Sequence, residues 1–177
     1  MMRRALLLGI LAILVAGCPR SKPEDSAPAA ATPRVEAGKT MESIDVMKEL
    51  RRMRDRARLA DLTALLDRTS PENKENDALV RHEALDGLAT VASRIRLDAS
   101  DLSVEEATAA MATLSSAPFV DRALVMLLDP DPEMRRGACR LLGALRLPRT
   151  HAALKERAAD DADSQVRVLA SRALSAR

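Results

Sequence analysis

Aromatic side chains are nearly absent from this chain: its 177 residues hold no Trp, no Tyr and a single Phe, Phe119. Sites that grip bases or sugar rings commonly stack them on aromatic faces, so a single-stranded nucleic acid or a carbohydrate is a poor candidate ligand. An excess of charge of one sign is missing as well. Lys and Arg number 28 against 26 Asp and Glu, a formal net charge of +2, whereas a polyanion binder is expected to carry a net basic balance. No nucleic-acid partner is expected.

Histidine and cysteine are as scarce, at two each. His82 and His151 stand far apart, with no second histidine or acid at a metal-ligand spacing. Cys139 sits among apolar helix positions and reads as a small buried hydrophobe. The acidic runs at 129–131 and 160–163 do not form a calcium loop, which needs a central glycine and a glutamate at its twelfth position; counted from Asp129, that position is Arg140. Nucleophile elbows, phosphate loops and paired catalytic carboxylates are lacking. No catalytic residue, metal or cofactor is assigned, and the chain is expected not to be an enzyme.

Long apolar runs are limited to one, over residues 5–15, shorter than the roughly 20 residues of a membrane-spanning helix. Arg3 and Arg4 precede it and small residues follow, the layout of an export signal. Its end, Val15-Ala16-Gly17-Cys18, resembles the lipobox of bacterial lipoproteins. The resemblance implies cleavage before Cys18, lipidation of its sulfur by palmitate-like acyl chains, and a mature protein tethered to a membrane of the cell envelope; two or more such chains anchor stably. Pro19 replaces the aspartate that would favour the inner membrane, so the outer membrane, facing the periplasm, is favoured. Residues 1–17 are then a signal peptide, and its loss removes Arg3 and Arg4 and brings the net charge to about zero. Residues 18–40 carry the lipidated cysteine and a linker, "PRSKPEDSAPAAATPRVEAGK", too rich in Pro, Ala, Ser and charge to bury a core. That linker is expected to be disordered and to act as a spacer.

What is abundant begins at about residue 41, where a register recurs. Asp77 is followed by Val80, Arg81, Ala84 and Leu88; Asp131 by Met134, Arg135, Ala138 and Leu142; Asp163 by Val166, Arg167, Ala170 and Leu174. The offsets from each acid are identical: apolar at +3, Arg at +4, Ala at +7, Leu at +11. Self-similarity of this kind signals stacked repeats. The acid suits a helix N-cap, and Pro132 suits the first helical position, where no amide donor is needed. Offsets +3, +7 and +11 share one helical stripe. Gly87, Gly137 and Gly143 lie inside these helices at a propensity cost of up to about 1 kcal/mol each, which argues that another helix comes close.

"DPDPEMRRGACRLLGAL" and "DDADSQVRVLASRAL" resemble the second helices of HEAT-like repeats of the type found in phycobilisome lyases. The resemblance implies an all-α domain over 41–177, a short right-handed α-solenoid of antiparallel helix pairs. First helices are expected from Ala57, Phe119 and Thr150, with a separate capping helix upstream of Ala57. The acids Asp77, Asp131 and Asp163 and the arginines Arg81, Arg135 and Arg167 are expected to form a structural ladder in which each guanidinium reaches a loop acid of the neighbouring repeat. Asp77 and Asp131 are 54 residues apart but Asp131 and Asp163 only 32; an inserted helix over about 103–115, opened by Ser103 and Glu106, accounts for the excess.

Offsets +5 and +9 point away from the stripe toward the concave side, the usual binding face of solenoids. Arg136, Arg140 and Arg172 stand there and are expected to form a basic patch for a protein partner with an acidic segment. The function expected is a membrane-anchored protein-interaction scaffold. The alternatives are an enzyme or enzyme subunit akin to the repeat-containing lyases, which the export signal and the missing aromatics disfavour, and a purely structural envelope lipoprotein.

Overall fold

Apolar residues spaced three and four apart make helices whose stripes cannot be buried by one helix alone, and the computed structural model shows how they are shared. It describes residues 37–72 and 77–175. The export signal, Cys18 and the spacer as far as residue 36 lie outside that set. The described residues are all-α: α1 (Ala37–Arg56), α2 (Leu59–Arg68), α3 (Ala78–Arg96), α4 (Val104–Leu114), α5 (Ala117–Met126), α6 (Pro132–Leu145), α7 (His151–Asp160) and α8 (Ser164–Ser175), with one 3-10 turn, Pro148–Thr150.

Helix starts follow from side-chain chemistry. Asp77 accepts from the Val80 amide at 2.8 Å, Asp131 from Glu133 at 2.9 Å and Asp163 from Val166 at 2.9 Å, each satisfying a donor that the first turn leaves free. Ser103 and Glu106 close a reciprocal capping box ahead of α4. The upstream helix is separate from α2: Ala57 adopts a left-handed conformation, φ 50°, at a cost of about 1 kcal/mol. Asp61 holds this corner, accepting from Arg56 at 2.9 Å and Arg58 at 3.2 Å.

The second helices α3, α6 and α8 pack side by side, and each is backed by the first helix of its pair, α2, α5 or α7. This stack of helix pairs is a short solenoid. Extra length between the first two repeats is taken up by α4, which lies against α2 and α3 and leads into α5. α1 packs on α2 and α3. The repeated stripe is the core: Val80, Met134 and Val166, then Ala84, Ala138 and Ala170, then Leu88 and Leu142 are buried, while Leu174 is only partly covered.

Two of the three glycines inside the second helices are demanded by close approach. A Cβ on Gly143 would stand 2.8 Å from the Cβ and 3.1 Å from the Cα of Ala173, so α6 and α8 touch through their backbones there; one on Gly137 would stand 2.7 Å from Leu85 Cδ2. Gly87 departs from the expectation. A Cβ there would meet nothing nearer than Arg54 Cβ and Leu65 Cδ1 at 3.6 Å, an ordinary contact distance, because α1 and α2 stand off from α3 at that turn.

The two situations give opposite outcomes. Gly87→Ala should raise stability by about 0.5–1 kcal/mol through helix propensity, whereas Gly143→Ala should lower it by about 1–3 kcal/mol through overpacking against α8. Denaturant midpoints of the two variants against wild type measure both signs.

Candidate functional site

The arginine at +4 in each second helix reaches backward and forward at once. Arg135 donates from Nη1 to the carbonyls of Asp129 (2.8 Å) and Pro130 (3.1 Å) in its own loop, and its Nε and Nη2 grip Asp161 of the next repeat at 3.0 and 2.9 Å. Arg81 makes the same connection one repeat earlier, to the Thr69 carbonyl at 3.1 Å and to the Asp129 carboxylate. Among the described residues Arg167 keeps only the backward half, to the carbonyls of Asp161 (2.6 Å) and Ala162 (3.3 Å). The receiving acids are oriented in advance: Asp129 and Asp161 each accept from the amide two residues on, Asp131 and Asp163, at 2.9 Å. Thr69, fully buried, stands at the corresponding loop position of the first repeat, where it bonds its own turn through the Leu66 carbonyl.

A second rung runs beside the first, and sequence reasoning missed it. Arg136, at +5, is expected on the free face, and His82 holds the same offset in the first repeat. Instead His82 Nε2 lies 2.6 Å from Asp131 Oδ2, and Arg136 grips Asp163 at 3.0 and 2.6 Å while also bonding Glu133. The N-cap acids Asp131 and Asp163 are thus each claimed by the +5 residue of the repeat before. The available signal was the pairing of a basic residue at +5 with a cap acid in the following unit; Val168 holds that offset in the last repeat and is exposed.

These contacts set the electrostatics. Asp163 is held at about 2, first by the Arg136 hydrogen bond and then by the Val166 amide. At Asp161 burial pushes the carboxyl up, but the Arg135 fork and the Asp163 amide outweigh it and hold the group below the usual carboxylate range. Asp131 behaves likewise, with His82 and the Glu133 amide overcoming burial. Cys139 is fully buried and burial pushes its thiol up to about 12, so it is not a nucleophile at neutral pH.

The expected basic patch is divided by the fold. Arg136 belongs to the second rung, while Arg140 and Arg172 both line a groove of about 410 Å³ along the second helices α3, α6 and α8. Ala89, Gly143, Leu169 and Ala173 form its apolar part, and Leu97 projects at its end with three quarters of its surface exposed. Arg140 Nη2 sits 3.2 Å from Asp86 Oδ1, an exposed pair. Arg172 is exposed and forms no ion pair among the described residues. An apolar floor beside such cations binds; it does not by itself transfer protons or groups. Among the described residues no three His, Cys, Asp or Glu side chains converge as metal ligands, and no helix is long and apolar enough to cross a membrane.

A family model described as HEAT repeats matches residues 73–175, more than half of the chain. Comparison with curated proteins and with solved structures gives no match.

Removing Arg135 takes the guanidinium fork from the buried Asp161 carboxylate and leaves it the Asp163 amide and Arg157 at 3.5 Å, so Arg135→Ala should cost about 2 kcal/mol. Arg167→Ala, which loses only carbonyl contacts, should cost about 1 kcal/mol; urea unfolding of the two variants gives the ratio. Acid should act on the same contacts. A carboxylate held at about 2 when folded and titrating near 3.9 when unfolded stabilises above pH ~4 and loses that contribution as pH falls toward ~2. The melting temperature should therefore fall between pH 4 and 2, and Asp163→Asn should flatten that part of the profile.

Proposed function

The chain belongs to the HEAT-repeat family, and from that premise we propose that it is a lipid-anchored scaffold of the bacterial cell envelope that binds a protein partner through the α3–α6–α8 groove. Repeats of this fold suit protein binding, because stacked units present their second helices as one continuous surface. The observation that carries the reading is that Arg172 lines an apolar groove and has no ion pair among the described residues. Most other arginines of the second helices are engaged in holding one repeat to the next or in capping: Arg96, for example, donates to the Ala144 and Leu145 carbonyls at 2.9 and 3.0 Å, closing the end of α6.

The role is binding rather than catalysis. Asp129, Asp161 and Asp163 are committed to interrepeat contacts, and the groove combines cations with an apolar floor instead of an acid–base pair. The anchoring half of the proposal rests on the lipobox-like Val15-Ala16-Gly17-Cys18 and on the spacer that follows it. Cys18 is the lipidated residue, the outer membrane facing the periplasm is the location, and the partner presents an acidic segment to Arg140 and Arg172.

Cys18→Ala should move the protein from the membrane to the soluble fraction. Retention at the membrane with unchanged mobility overturns the anchor. A photo-crosslinking residue placed at Ser93, in the groove, should capture a protein in intact cells when the same residue at Asp121, on the exposed side of α5, does not; capture only from Asp121 overturns the binding surface.

A further inference from the structure

Building on the groove reading above, we propose that the occupant is a single amphipathic α-helix of the partner, lying across α3, α6 and α8, with two carboxylates about two turns apart that engage Arg140 and Arg172. Three residues at one register carry the inference. Asp86, Arg140 and Arg172 each stand nine positions after their cap acid, on three helices packed side by side, and all three line the groove. Neighbouring helix axes lie about 8–10 Å apart, so the three positions, negative, positive, positive, cross the surface at roughly that step, with the Arg140 guanidinium turned onto Asp86 at 3.2 Å in the unbound protein.

The matching row on a ligand is acidic at two points about 10 Å apart. Seven residues of α-helix advance about 10.5 Å and return to nearly the same face, so carboxylates at i and i+7 meet Arg140 and Arg172 together. A basic residue at i−7 faces Asp86. Apolar residues at i+3 and i+4 then point at Gly143 and Ala173, where the absence of larger side chains leaves the pit. Arg140 can accept this exchange: its pair with Asp86 is 42% and 49% exposed, and pairs so open to solvent are weakly held. Arg172 has no ion pair to give up among the described residues.

Backbone chemistry decides between a helix and an extended segment. The groove is walled by three helices whose interior amides and carbonyls already bond within each helix, and among the described residues Thr90 and Ser93 are the only neutral oxygen-bearing side chains lining it. An extended segment would bury backbone groups with too few partners there. A helix arrives with its own backbone satisfied and needs only side-chain complementarity.

The probe is a fluorescent, hydrocarbon-stapled 18-residue helix with Lys, Glu and Glu at seven-residue steps on one face and Leu and Ala between them, titrated with the full chain in detergent by anisotropy. Two controls share its composition: one moves the second Glu to the opposite face, the other places a central Pro in an unstapled chain. The facial helix should bind at least tenfold more tightly than either. Arg140→Glu and Arg172→Glu should each weaken it at least tenfold with unchanged melting temperatures, and replacing the last Glu of the probe by Lys should restore binding to the Arg172→Glu protein. Equal affinity for the three peptides, or indifference to Arg172→Glu, overturns the helix. If the peptides fail while Ser93 still cross-links a protein in cells, the groove remains a binding surface and only the helix falls; if both fail, the scaffold reading falls with it.

Discussion

A guanidinium that bonds its own loop and the next repeat at the same time is the constraint on which this stack depends. A helix pair cannot bury its stripe alone, and apolar contact is non-directional, so packing by itself would let one repeat slide or turn against the next. The planar fork of Arg135 removes that freedom: one nitrogen is occupied by carbonyls of the turn that starts α6, the others by a carboxylate that the following turn has already oriented. The buried Asp161 carboxylate is costly to desolvate, and the stack tolerates it because every buried side-chain nitrogen and oxygen in the described part of the chain finds a partner.

The ladder also determines which residues remain for binding. Offsets +4 and +5 are consumed between repeats, by Arg81 and His82, then by Arg135 and Arg136. Offset +9 is left on the face that the rungs do not use, and there the three repeats differ, with Asp86, Arg140 and Arg172 in turn. Gly143 enters the same geometry from below. By letting α6 meet α8 through their backbones, it narrows the distance between Arg140 and Arg172 and opens the apolar pit between them.

Errors of the sequence reading have a common source. Arg136 falls on a free face by its angle on an isolated helix, as does His82 at the same offset, but the cap acids of the next repeat lie there. Gly87 was read as a seam because Gly137 and Gly143 are seams; its neighbours Arg54 and Leu65 come from helices that do not press as closely as α6 and α8 press on each other. The inserted helix, by contrast, was readable from Ser103 and Glu106, because a capping box needs only residues three apart.

Local order was therefore determined by the sequence itself: the cap acids at Asp77, Asp131 and Asp163, the buried stripe of Val80, Met134 and Val166, the break before α2 and the start of α4 all depend on residues within a turn or two of one another. Tertiary structure alone decided which of several nearby acids each arginine grips, Asp129 rather than Asp131 for Arg81, Asp161 rather than Asp160 for Arg135, and that Arg172 has no ion pair among the described residues. Those outcomes depend on the distance and rotation between helices 26 to 48 residues apart in the chain, quantities set by packing volume at positions such as Gly137 and Gly143, and no local pattern encodes them.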